Sequence, residues 1–382
     1  MKFHRKAIRL LLSPLIITTI FISCGFSVTL PRTEYTLTVI AGEEKFVFAY
    51  PETDYGENGL YLKGVDAIAE RIYYSTLVPP RDAAVSFRPS AREKFTVTRE
   101  RYGRAIDVEK LLKNIDSAVK NGVFEIEAEF VELKPQTRRS DLENCFYTRA
   151  FFSTAYGNSS AERKHNVAVA ADAINGVCVE DGEVFSFNGV VGERTEERGY
   201  KNAKIIFEGK FTDGTGGGVC QVSSTLYNCA LLAGVTVTER RAHSLAVSYV
   251  EPSFDAMVSY GGSDLKFLND TGGPIFIEAR ADGETLSVTI YGRKKNYSIG
   301  RVSEIISETE VGYDYIDGEE TDCGGEEKII VPQKNAIKSC GYLVFYHNGK
   351  QFKKVRLGAD GYAGQKGVIA RGKISEEDDK TP

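Results

Sequence analysis

The residue that could do covalent chemistry is a cysteine delivered by a glycine turn. Cys220 follows Gly216, Gly217 and Gly218 in the run DGTGGGVCQVSSTLYNCALLAG at 213–234. Three successive glycines let the backbone turn sharply and approach a ligand closely. A phosphate loop is the first chemistry to test, and it fails because no Gly-Lys-Ser/Thr comes after the glycines. The residues after Gly218 have a helical pattern instead: Val222, Leu226, Cys229 and Ala233 fall on one stripe, and Gly234 closes the segment. Cys229 lies on that stripe and reads as a core thiol. Cys220 lies in the first turn and off the stripe, where free N–H groups and the helix dipole favour a thiolate and could hold an oxyanion.

A thiolate nucleophile needs a base. The next imidazole is His243, in phase with Leu245, Val247 and Tyr249, so a strand is expected to turn it inward. Asp264, before the apolar run at 265–267, is taken as the third member that orients the ring; Asp255 competes for that role, because chain order does not decide which carboxylate reaches it. Cys at a helix start, then His, then Asp resembles the order in transglutaminase-like and papain-like thiol enzymes. Gly216, Gly217, Gly218 and Gln221 are the expected substrate-side positions of the loop. Arg194, in the charged loop GERTEERG at 192–199, is the expected grip on a carboxylated substrate. The rival class is a non-catalytic binding or scaffolding protein, with Cys220 structural and the glycines a tight turn. A redox sensor would need a resolving thiol nearby.

The elements around this site read as an α+β, multidomain chain. Residues 10–30 carry no charge and follow Lys2, Arg5, Lys6 and Arg9, the pattern of a membrane-spanning anchor or signal segment with the bulk outside. Residues 35–140 form an α+β module: Asp107 caps a helix bearing Val108, Leu111, Leu112, Ile115 and Val119, Gly122 ends it, and Phe124, Ile126, Ala128 and Phe130 then alternate with glutamates as a strand. Lys134, Pro135 and Gln136 begin a linker. Residues 145–292 hold the chemistry in a central mixed α+β domain, with a helix at 166–174 and a hairpin at Asp282-Gly283. Residues 296–372 form a small β-rich module in which Cys323 and Cys340 could be bridged, and 373–382 is an acidic tail expected to be disordered.

Composition limits the partners. Beyond residue 30 the chain has 44 basic and 53 acidic side chains, a net of −9, which argues against nucleic acid. Six cysteines outside the anchor are too sparse for a disulfide scaffold, and neither they nor His165, His243 and His347 show a metal-ligand spacing, so no metal and no cofactor is expected.

GGGVCQVSSTLYN at 216–228, with FSFNGVVGERT at 185–195, ERRAHS at 239–244 and DLKFLNDT at 264–271, resembles the VanW family of bacterial envelope proteins over about residues 145–280. The module at about 40–135 resembles the peptidoglycan-binding domain that commonly precedes VanW regions, and residues 341–372 resemble the small strand-rich module named for its five glycines. The resemblance implies a wall-facing protein of a Gram-positive-type bacterium with peptidoglycan as partner, at the outer face of the membrane or secreted to the wall. It marks Gly216, Gly217, Gly218, Cys220, Gln221 and His243 as signature positions. Their roles in an acyl transfer on wall peptides rest on the chemistry of the thiol and imidazole, not on the resemblance.

Overall fold

The computed structural model describes residues 35–50, 53–56, 59–62, 64–207, 210–317 and 327–371. The expected anchor at 1–30, Cys323 and the acidic tail lie outside them. Among the described residues, no helix is long and apolar enough to cross a membrane.

The chain divides into two compact units. One takes in Arg104–Glu132 and the described part of residues 1–78; the other takes in Pro79–Gly103 and the described residues from Leu133 onward. In the first, the antiparallel pair Tyr35–Ala41 and Glu44–Tyr50 is extended by Glu125–Glu127, which runs parallel to Tyr35–Ala41. The helices Val65–Thr76 and Val108–Asn121 close the core through Ala69, Ile72, Leu111 and Ile115 against Leu37 and Val39. The second helix begins and ends where its sequence signals place it. Asp107 accepts a hydrogen bond from the Lys110 amide at 3.0 Å, and Gly122 takes the left-handed conformation (φ 67°) that ends a helix without strain. The strand expected over 124–130 is two short strands, Glu125–Glu127 and Phe130–Leu133, and Phe124 is exposed.

The second unit is built on a four-stranded antiparallel sheet in the order Tyr147–Ala155, Thr285–Gly292, Ile275–Ala281, Cys178–Val179. The helices Ala161–Ile174 and Val219–Ala233 pack on it. Their apolar side chains, Val167, Ala170, Ile174, Val222, Leu226 and Cys229 among them, share one core with Ile277, Val288 and Ile290. The Asp282-Gly283 hairpin forms as expected: Asp282 Oδ1 accepts from the Glu284 and Thr285 amides at 2.9 and 2.7 Å, and Gly283 has φ 94°.

Two boundaries differ from the sequence reading, and both differences are long-range. Residues 79–103, expected in the first module, cluster with the second unit, where the hairpin Ala84–Phe87 and Phe95–Thr98 lays Phe87 and Phe95 against Phe276 and Tyr291. Lys94 ties it down with an ion pair to Glu278 at 2.6 Å. The β-rich module, with the antiparallel sheet Ser298–Thr309, Ala336–His347, Lys350–Tyr362, belongs to the same compact unit as the central region, and Ile299 and Leu343 enter its core.

Candidate functional site

Gly218 caps the helix Val219–Ala233 in a left-handed conformation, φ 108°, ψ −22°. The glycines are required by packing as much as by the turn. A Cβ on Gly217 would lie 2.7 Å from the Lys204 carbonyl oxygen, and one on Gly218 would lie 3.0 Å from Arg163 Cγ and Val167 Cγ2. Asn166 Nδ2 donates to the Gly217 carbonyl at 3.0 Å and to Lys201 O at 2.8 Å, fixing the loop to the neighbouring helix. Gly216, Gly217 and Gly218 therefore set the entry of the helix. As its second residue, Cys220 keeps an N–H with no intrahelical acceptor.

The helix is buried nearly all round, not on one stripe. Its polar face, Ser223, Ser224 and Asn228, is spent on the segment 254–256. Ser223 Oγ donates to Ala256 O at 2.6 Å, the Ala256 amide donates to Ser224 Oγ at 2.9 Å, and Asn228 Nδ2 donates to Phe254 O at 2.7 Å. That face also carries Cys220, since residues four and eight apart in a helix are neighbours. The segment it pins holds Asp255.

Asp255 is the carboxylate on the histidine. His243 Nδ1 lies 2.6 Å from Asp255 Oδ2, and the His243 backbone amide donates to the same oxygen at 2.7 Å. With Nδ1 so engaged, Nε2 is the ring nitrogen left over, and the imidazole and the Cys220 thiol act on one another's charge. Asp264, expected in this role, is elsewhere. It accepts from Ser186 Oγ at 2.6 Å, from the Asn188 amide at 2.8 Å and from the Leu265 amide at 2.8 Å, fastening the start of the short helix Phe187–Val191. His243 is buried, but not by a strand: residues 240–250 are irregular, and the imidazole is turned inward by Asp255.

The electrostatics favour an ion pair. Burial alone would push the Cys220 thiol up, but the hydrogen bond and charge of His243, the Val258 backbone and Arg194 outweigh it and hold the thiol below its ordinary value. Burial opposes the imidazolium too, yet hydrogen bonds to Asp255 and Cys220 raise His243 to about 9. Asp255 is held below the usual carboxylate range against the cost of burial, by His243, Arg240 and Tyr362. Cys220 is half-buried, with Sγ 3.5 Å from Val258 O, and it is a free thiol, as are Cys145, Cys178, Cys229 and Cys340. Cys229 on the same helix goes the other way: desolvation pushes it well up, and its Sγ faces Val288 O in the core.

The remaining sequence candidates separate into two groups. Gln221 is buried and fully used, giving both amide hydrogens to Thr154 Oγ1 and Ala155 O at 2.9 Å and accepting from Arg163 Nη2 at 2.8 Å. No donor is left for a ligand, so its role is to join the helix to the sheet. Arg194 is different. Its Nη1 donates to Gly192 O at 2.9 Å and its guanidinium lies over Phe187, but Nη2 is buried with no partner among the described residues. It packs on Gly216 and its charge acts on Cys220. Glu239, Arg240, Arg241, Met257, Ser259 and Ser263 line an open depression.

Sequence reasoning named Asp255 only as a competitor and missed Arg240 and Tyr362. The available signal was the Ser223, Ser224, Asn228 face beside Cys220, which has to bond to some nearby backbone.

Comparison with known proteins gives two family matches. Residues 162–291 match the family described as "VanW like protein", and residues 62–126 match the family described as "Putative peptidoglycan binding domain". The first match contains all four sequence motifs as well as Cys220, His243 and Asp255. The chain is 44% identical over 140 residues to the uncharacterized protein YoaR of Bacillus subtilis (strain 168), covering 37% of this chain and 46% of that one. It is 30% identical over 144 residues to the vancomycin B-type resistance protein VanW of Enterococcus faecalis (strain ATCC 700802 / V583), covering 36% of this chain and 52% of that one. The chain thus spans about half the length of the curated relatives it matches. Two solved structures are also similar: HP0197-G5, at 14% identity and a TM-score of 0.12 over 20% of this chain and 100% of that one, and the IgA1 protease G5 domain, at 16% identity and a TM-score of 0.12 over 21% and 96%.

Proposed function

We propose that the protein works in the cell envelope, on the outer side of the membrane, and that its VanW-like domain is a thiol-dependent acyl-transfer enzyme acting on peptidoglycan peptides. The observation that carries this reading is the buried His243–Asp255 pair, Nδ1 to Oδ2 at 2.6 Å, whose charge acts on the Cys220 thiol at the start of a helix. In the reaction, the Cys220 thiolate attacks the carbonyl carbon of a wall-peptide amide. The oxyanion that forms is met by the Cys220 N–H at the helix start, the amides on either side being bonded to Gly216 O and Gly218 O, and by Arg194 Nη2, the buried donor that lacks a partner among the described residues. The His243 imidazolium gives its proton to the departing amine, leaving a thioester on Cys220 and a neutral ring held by Asp255. Water or an amine then attacks the thioester while His243 Nε2 takes the incoming proton, and the thiolate leaves. Hydrolysis and transpeptidation share these steps.

The match at residues 62–126 supports peptidoglycan as the partner and would bring the site to its substrate. The same match favours a second reading, a peptidoglycan-binding or scaffolding protein without catalysis, in which the buried triad only braces the helix start. Incubating the full chain with wall-peptide fragments, quenching in acid and mapping adducts by mass spectrometry separates the two. The enzyme reading expects a peptide-sized adduct on Cys220 that disappears in His243→Ala; an adduct-free Cys220 whose iodoacetamide labelling matches that of an ordinary thiol supports the scaffold.

A further inference from the structure

Ser253, two residues before Asp255, is one of two non-glycine residues at positive φ among those described, at 70°. Such a conformation costs of order 1–3 kcal/mol and persists only where the surroundings impose it. Here the C-terminal strands impose it. The Ser253 amide donates to Tyr362 Oη at 2.6 Å, its hydroxyl lies 2.7 Å from Ser339 Oγ, and its Cβ sits where Gly341 leaves room for it. Tyr362 then donates its own proton to Asp255 Oδ1 at 2.6 Å. The next residue, Ala363, donates its amide to Ser244 O at 2.7 Å, beside His243. Arg240 completes the arrangement. Its Nε and Nη2 hold the Asp255 carbonyl and Oδ1 at 2.6 and 2.9 Å, while Nη1 reaches Asp360 Oδ1 at 2.7 Å. Asp360 and Tyr362 lie on the strand Lys350–Tyr362, well beyond residues 162–291.

We propose that this C-terminal strand is part of the reactive centre, with Asp360 and Tyr362 as positioning residues that keep Asp255 available as the counter-ion of His243. The inference rests on the reading of Cys220 and His243 as the nucleophile pair. Its core is a count of charges. An imidazolium beside a thiolate is held by Asp255 only while Asp255 keeps its negative charge to itself. Arg240 would neutralise that charge at 2.9 Å, and Asp360 takes a share of Arg240. Removing the Asp360 charge gives all of Arg240 to Asp255, weakens the hold on the imidazolium and returns the proton to sulfur.

The ionisable groups around this chain of contacts are few. Arg194, Arg163 and Tyr249 act on Cys220; Arg240, Tyr362 and Tyr249 act on or are acted on by Asp255; Tyr227 lies against Arg240, with Arg301 beyond it. None of the others can replace Asp360, because it is the group on the free arm of Arg240.

The test is the pH dependence of iodoacetamide alkylation at Cys220, read by mass spectrometry on the full chain, for wild type, Asp360→Asn and Asp360→Glu. Asp360→Asn is expected to slow alkylation at pH 6 by about three- to tenfold, equivalent to raising the thiol midpoint by up to about one pH unit. Its rate should meet the wild type above pH 9, and Asp360→Glu should restore the low-pH rate to within about twofold. Mere loosening would do the reverse, exposing the sulfur and speeding the reaction at every pH. Coincident profiles, or a parallel displacement at all pH values, overturn the inference alone. A wild type with no low-pH reactivity overturns both it and the nucleophile reading.

Discussion

The two ends of the helix Val219–Ala233 are surrounded by the same kind of charge and put it to opposite uses. At the C-terminal end, Arg149 donates to Ala233 O through Nε and Nη2 at 3.1 and 2.9 Å, and Lys295 donates to Leu232 O. Cations there answer the negative end of the dipole and the unpaired carbonyls. Burial, with the neighbouring Arg149 charge, holds Lys295 down to about 8. At the N-terminal end His243, Arg194 and Arg163 gather where the dipole is already positive. That arrangement is unfavourable unless something negative sits among them, and the group on the spot is the Cys220 sulfur. Cys229, nine residues along, feels Lys295, but desolvation outweighs that charge and keeps it a core thiol shifted up. The lesson is that the direction of a thiol's shift on a helix is set by which end and which face it occupies.

The contrast can be broken most sharply at the sulfur. Cys220→Ala should remove the iodoacetamide adduct that maps to position 220 below pH 7, and His243→Ala should slow labelling at that position at pH 6 by about tenfold or more, one unit of midpoint being a factor of ten. Cys178 is the internal control: it is exposed, yet burial of its sulfur and the charges of Glu180 and Glu183 raise it to about 12, so it should label only in strong base. At the other end of the helix, Arg149→Met strands carbonyls that now accept charged donors and should cost about 3 kcal/mol in denaturant unfolding of the second unit. It should leave the pH profile of Cys220 unchanged. Gly218→Ala lies between the two, adding a Cβ at φ 108° against Arg163 and Val167; about 2 kcal/mol is expected, together with slower labelling because the helix entry shifts.

Smaller effects come from titration. His243 has a raised value in the folded chain, so its contribution to stability is complete below about pH 6.5 and is lost as pH rises through about 9. Cys220 is shifted down, so the stability tied to its thiolate grows as pH rises from its folded value toward 9. Between about pH 6.5 and 9 the two contributions oppose each other, so the thermal midpoint of the second unit should fall with rising pH more steeply in Cys220→Ala than in the wild type, and this fall should be absent in His243→Ala. Asp107→Ala in the first unit should cost about 1 kcal/mol through loss of its cap and leave Cys220 untouched.

Legible in the sequence is what neighbours along the chain decide. Gly218 and Gly234 bound the site helix, Cys229 faces the core, Asp107 and Gly122 bound the helix between them, and Asp282-Gly283 turns its hairpin, all through contacts a few residues apart. Local pattern misleads where distant segments decide. Alternation around His243 suggests a strand, but its burial comes from Asp255, twelve positions on. Asp264 precedes an apolar run, which favours it over Asp255, and that run instead places it beneath Phe187–Val191. Arg240 and Tyr362 reach Asp255 from 15 and 107 positions away, and Asp360 joins through Arg240 across 120 positions, which no local pattern can report.

The hairpin at 84–98 gives the second unit a delayed assembly. Lys94 and its partner Glu278 are 184 positions apart, and Phe87 and Phe95 wait equally long for Phe276. During synthesis this aromatic face emerges well ahead of the sheet that covers it, so it stays open to misassociation until most of the chain has been made.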